Sequence, residues 1–210
     1  MTPVVEIIHR LGERTGLLFA MEDLGYKGTA KVLGKVSFRK KTLYLDISLE
    51  DEWTAAFRFT AAHEIGHWVL HRYNYMNWKF QSPNGASGGL QDDDSTLCRL
   101  ERGTQSDWLE FQANVFAASL VTPREMFVVA LKQIQKSIGI NKNIGRIFLS
   151  NVASSRRDYE MTVSQLSQTF HVSKKSVRVR IRTLRLIEGE DKTFRINPLT
   201  VLASLDGKDV

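Results

Sequence analysis

One cysteine, Cys98, in 210 residues leaves no partner for an internal disulfide and fits a reducing compartment. No apolar run approaches the roughly 20 residues that a membrane span needs, and the N-terminus lacks the basic-then-apolar order of a secretory signal. A cytoplasmic protein with no membrane association is expected. Repeats at solenoid periods are also missing. A hydrophobic content of 42% excludes collagen-like and disordered classes and suits one compact domain with a small appendage.

The formal charge of +6 is unevenly placed. Residues 1–140 carry 16 basic and 16 acidic side chains, whereas residues 141–195 carry 12 and 5. The positive excess therefore belongs to a C-terminal segment, as expected of a module that meets phosphate or an acidic partner.

Along the chain, Val4, Ile7, Ile8, Leu11 and Leu18 are spaced for an amphipathic helix within residues 3–19, weakened toward its end by Gly12, Gly16 and Gly25 and followed by a loop. Partial alternation from Ala30 to Ile47 around Arg39-Lys40-Lys41-Thr42 predicts a hairpin or small antiparallel sheet. Residues 52–71 read as a long helix and residues 73–105 as a long loop. A further helix, capped by Thr104 or Ser106, is expected to run through Leu120. Thr122-Pro123-Arg124-Glu125 fits a capping box with proline at the first position of a helix ending near Lys136.

His63-Glu64-Ile65-Gly66-His67 has the His-Glu-x-x-His pattern of zinc peptidases. Residues four apart share a helix face, so both imidazoles can reach one Zn2+. Glu64, one step round, is placed to take a proton from a water that the metal acidifies and pass it toward the leaving amine. The competing account is a pair of core histidines with an ordinary surface carboxylate. A catalytic zinc site takes three protein ligands and keeps one open position. Glu110 is the candidate third ligand, since Ala113 and Ala117 would let its helix approach another closely; a surface glutamate is the alternative. His71 is placed as a ligand or, preferably, as a structural residue closing the helix end. Tyr73, Tyr75, Tyr159 and His171 are equal candidates for an oxyanion donor.

The runs Arg58-Phe59-Thr60-Ala61-Ala62-His63-Glu64-Ile65-Gly66-His67-Trp68-Val69-Leu70-His71 and Glu110-Phe111-Gln112-Ala113-Asn114-Val115-Phe116-Ala117-Ala118-Ser119-Leu120-Val121-Thr122-Pro123 resemble the ImmA/IrrE family of zinc metallopeptidases. The resemblance covers roughly residues 1–136, although the 43-residue step from His67 to Glu110 is long for the family. It implies one Zn2+ per chain, with His63, His67 and Glu110 as ligands and Glu64 as catalytic base. It also implies a metalloendopeptidase that cleaves a helix-turn-helix transcriptional repressor and so switches on a stress-response, mobile-element or antiviral-defence operon.

Cys98 lies between His67 and Glu110 in sequence. As a thiolate it would fill the open metal position and hold the enzyme off, with Gly85 to Gly89 letting the loop swing away. Otherwise it is a small buried hydrophobe.

Thr162 to Phe170, the turn His171-Val172-Ser173 with Ser173 as cap, and Lys174 to Arg185 follow helix-turn-helix grammar. Val177, Ile181 and Leu184 fall within an arc of about 60°, and Lys174, Lys175, Arg178, Arg182 and Arg185 in a separate arc of about 100°. Phe194 and Arg195 suit a short wing. Glycine is usual at position 171, so His171 must tolerate a strained backbone or the turn differs. The basic arc is a candidate for nucleic-acid binding, with single-stranded DNA as an activator; the alternative is a platform that docks the repressor. No Asn or Gln in the second helix reads adenine, which argues against sequence-specific promoter binding.

The expected fold is α+β: a mainly helical, gluzincin-like metallopeptidase domain (1–140) with a small antiparallel sheet, a linker (141–158), a helix-turn-helix, winged-helix-like module (159–196) and a tail (197–210). The rival from another class is a DNA-binding transcriptional regulator whose zinc is structural.

Overall fold

The computed structural model describes residues 2–81, 105–150 and 152–189. It forms two compact units: Pro3–Glu52 with Ala56–Ala117, and the stretch from Ala118 onward with Met1–Thr2 and Trp53–Ala55.

The first unit begins with α1 (Val4–Thr15), which buries Val4 and Ile8. Gly16 stops it in the left-handed region at φ 72°, and its N–H donates to Gly12 O. The stop frees the next residues to extend as β1 (Leu18–Glu22). A small hairpin, β2 (Tyr26–Lys27) with β3 (Ala30–Lys31), precedes β4 (Gly34–Ser37) and β5 (Thr42–Asp46). The sheet order is β1-β5-β4; β1 runs parallel to the central β5, and β4 antiparallel to it. The expected antiparallel sheet is thus mixed, and Leu18–Glu22, where the end of a helix and a loop are expected, is a strand. Leu43 and Leu45 are fully buried in the centre, each contributing about 1.5–3 kcal/mol relative to exposure. Asp46 closes β5: it accepts from Leu24 N and Ser48 N and pairs with Lys31 at 2.9 Å.

Two helices complete this unit. α2 (Ala55–Gln81) is one continuous helix, so it neither ends near His71 nor gives way to a loop at 73. The sequence explains why, because no glycine or proline lies between Gly66 and Pro83. Trp68 stacks on Phe38 at 6.0 Å between centroids and donates from Nε1 to Thr15 Oγ1, pinning α2 to α1 and the end of β4. α3 (Gln105–Val121) is apolar on most sides; its expected cap at Thr104 lies outside the described residues, as does the side chain of Ser106.

In the second unit, α4 (Arg124–Ser137) starts without a capping box. Pro123 itself is the N-cap, and Thr122 turns its hydroxyl back to Ala118 O at the end of α3. Gln135 holds the following loop through Arg146 O at 2.6 Å and Gly145 N at 2.7 Å. The segment expected as linker carries β6 (Ile147–Phe148) and the first turns of α5 (Ala153–Phe170), which is twice as long as its apolar half predicts. His171 adopts φ 50°, ψ 52°, the first of the two outcomes expected at this position, a strained left-handed cap. Ser173 then caps α6 (Lys174–Thr183) by accepting from Ser176 N. β7 (Ile187–Glu188) pairs with β6 in parallel. Val163, Leu166, Val177 and Ile181 form the core between α5 and α6. Arg180 is buried as well: Nε donates to Thr122 O at 3.0 Å and Nη1 to Ser119 Oγ at 3.4 Å, capping the last turn of α3. Phe194 and Arg195 lie outside the described residues. Among those residues, no single helix is long and apolar enough to cross a membrane.

Candidate metal centre

The helical spacing of His63 and His67 turns both rings the same way along α2, with their Nε2 atoms 3.0 Å apart. Opposite them stands Glu110 on α3: Oε2 lies 3.1 Å from His63 Nε2, and Oε1 lies 3.4 Å from His67 Nε2. One ligand atom from each of the three falls within 4.8 Å of the others. The close packing of α2 on α3 makes this possible. A β-carbon at Gly66 would stand 3.2 Å from Ala113 Cα, and Ala113 and Ala117 are fully buried.

The cluster is built for positive charge. Burial opposes protonation of His63, yet hydrogen bonding to Glu110 and the charges of Glu64 and Glu110 outweigh it and raise its pKa to about 9. Burial of Glu110 pushes the other way from its hydrogen bonds to His63 and His67, and the bonds prevail, holding the carboxyl well below the usual carboxylate range. Two imidazole nitrogens, a carboxylate oxygen and a favourable field for a cation together fit a divalent metal ion.

Glu64 is buried, 6% exposed, and burial raises its pKa against the lowering effect of His63 and His67. Gly34 of the edge strand β4 lies on it: a β-carbon there would be 2.9 Å from Glu64 Oε1 and 2.7 Å from Thr60 Cγ2. The sequence did not single out Gly34, nor the roles of Asn114 and Gln112 beside the ligands. His63 Nδ1 bonds Asn114 Oδ1 at 3.0 Å, His67 Nδ1 meets His71 Nδ1 at 3.0 Å, and His71 Nε2 bonds Gln112 Oε1 at 3.1 Å. The available signal was the concentration of amide side chains, Gln112 and Asn114, on an otherwise apolar helix. His71 takes the structural role preferred for it, through the metal-facing histidine rather than a helix end.

A family model, the IrrE N-terminal-like domain of Peptidase M78, matches residues 36–182. The chain belongs to this peptidase family. The IrrE N-terminal-like match starts in β4, takes in both site helices and ends in α6. No curated protein shows significant similarity to the chain.

His63, His67 and Glu110 would hold a divalent ion, which would supply Lewis-acid polarisation of a carbonyl and acidification of a bound water. The protein's own groups do the rest. Glu64, its pKa raised by burial, has the chemistry of a group that could exchange a proton with a metal-bound water. Asn114 orients His63, and His71 orients His67.

The other candidates fall elsewhere. Cys98 and Gly85 to Gly89 lie outside the described residues, as does the side chain of Tyr75. Tyr73 is exposed and its hydroxyl accepts from Arg72 Nη2. Tyr159 and His171 belong to the second unit. Of the basic arc, Lys174, Lys175 and Arg185 are exposed, while Arg178 pairs with Glu160 at 2.7 Å and Arg182 is half-buried.

Proposed function

We propose that the protein is a zinc-dependent endopeptidase that cleaves a cognate helix-turn-helix transcriptional repressor, relieving repression of a stress-response, mobile-element or antiviral-defence operon. The observation that carries this reading is the burial of Glu64 beside a three-ligand cluster. A structural metal closes its fourth position with a protein ligand and has no use for a buried base. Zinc is the ion that two imidazoles and one carboxylate favour in hydrolytic sites, and an internal cut is what inactivating a folded regulator requires. The test is incubation of the zinc-loaded protein with candidate helix-turn-helix repressors drawn from neighbouring open reading frames, read by mass spectrometry. Two fragments are expected, and none with a chelator present. An intact repressor at full zinc occupancy would overturn the proposed substrate.

A second reading, nucleic-acid binding through α6, draws support from the exposed Lys174 and Lys175; Arg185, expected on the same helix, is exposed but lies beyond its end at φ 54°. Single-stranded DNA is the proposed activator. Replacing Lys174 and Lys175 by Gln should weaken binding and flatten its salt dependence in a polarisation titration. Unchanged binding would make these lysines a solvated face, and a cleavage rate indifferent to DNA would remove it as activator.

A further inference from the structure

We propose that Gln112 and His71 are positioning residues that set the tautomer of His67 and thereby its competence to bind metal. The inference rests on the metal centre at His63, His67 and Glu110.

His67 presents Nε2 to His63 and Glu110; for that nitrogen to coordinate a metal ion it must carry a lone pair, and the proton of the neutral ring must then sit on Nδ1. Nδ1 of His67 meets Nδ1 of His71 at 3.0 Å, and a bond between two such nitrogens holds one proton. If that proton belongs to His71, His67 accepts it on Nδ1, its own proton moves to Nε2, and the metal-facing nitrogen is blocked. What decides is the far side of His71. Its Nε2 lies 3.1 Å from Gln112 Oε1, an acceptor only, so the His71 proton is drawn to Nε2 and its Nδ1 is left to accept from His67. The reverse orientation of the Gln112 amide would donate to His71 and force His67 into the blocked tautomer. His71 is 1% exposed, so water has little access to its nitrogens.

The arrangement also explains why α3 supplies more than a ligand. From one helix, Glu110 faces the metal position, Asn114 holds His63 and Gln112 holds His71. Each histidine of the α2 series 63, 67, 71 thus has its proton placed by a neighbour.

The test compares the wild type, Gln112→Glu and Gln112→Met by zinc competition against a chromophoric chelator, with the melting temperature of the metal-free proteins as control. Glutamate keeps an acceptor and methionine removes it at similar volume. Zinc affinity should stay near wild type in Gln112→Glu and fall roughly ten- to a hundredfold in Gln112→Met. Long-range 1H–15N spectra of the zinc-loaded wild type provide a readout independent of any variant: His67 should be protonated on Nδ1 and His71 on Nε2. Equal affinity in all three proteins, or a His71 ring protonated on Nδ1, overturns the relay. A wild type that binds no zinc refutes the metal centre itself, which separates the two failures.

Discussion

The backbone of Gly34 runs so close to Glu64 that a β-carbon at position 34 would stand 2.9 Å from both Cγ and Oε1 of that carboxylic side chain. The edge strand of the sheet therefore forms one wall of the buried carboxyl's pocket, and the wall is backbone, which gives way less readily than a side chain. Gly34→Ala should cost about 1–3 kcal/mol by overpacking. It should also lower peptidase turnover while zinc stoichiometry stays at one, because the ligands are on other elements. Parallel measurement of melting temperature, metal content and cleavage checks this; unimpaired turnover would show that Glu64 does not depend on the wall.

Metal removal should act on stability as well as on activity. Ligands drawn from two helices make the folded state the one that binds, so free zinc at a hundred times its dissociation constant should add about 2.7 kcal/mol. A melting temperature that rises with zinc in the wild type, but not in Glu110→Ala, is the expected result from a calorimetric titration.

Arg180 ties α6 to the end of α3 through Thr122 O and Ser119 Oγ. Arg180→Met keeps much of the aliphatic bulk but deletes both donors, leaving acceptors short of partners. A loss of about 1–3 kcal/mol in urea unfolding is expected, against near-neutral substitution at exposed Lys175.

Asp46 gives the fold an acid limit. Hydrogen bonds from Ser48 and Leu24, opposed by burial and aided by Lys31, depress its folded pKa well below the usual carboxylate range. The unfolded value is about 3.9. A depressed folded pKa means that the stabilisation is fully present above the unfolded value and is lost as pH falls below about 4 toward the folded one. Urea midpoints followed from pH 7 to pH 3 should decline in the wild type and flatten over the acid end in Asp46→Asn.

How far the sequence reached can be judged element by element. His63, Glu64 and His67 were legible because one helical turn brings them together, and Glu110 because Ala113 and Ala117 announce close helix packing. β1 was not, since its partner β5 lies over twenty residues away and parallel pairing leaves no local pattern. α5 was read at half its length because its first turns are polar and exposed, with only Tyr159 buried. The box at Thr122 failed because its hydroxyl found the carbonyl of Ala118 first. Gly34, Asn114 and Gln112 act on residues 30 to 51 positions away, through hydrogen bonds and contacts that no periodicity encodes.

The central claim is that a buried glutamate beside a three-ligand metal centre performs the proton transfers of peptide hydrolysis. Glu64→Gln changes the base and spares the ligands, so the most direct measurement is the cleavage rate of this variant at verified full zinc occupancy. The account predicts retained zinc and a rate lowered by at least about a hundredfold. Cleavage at the wild-type rate with zinc bound would contradict it.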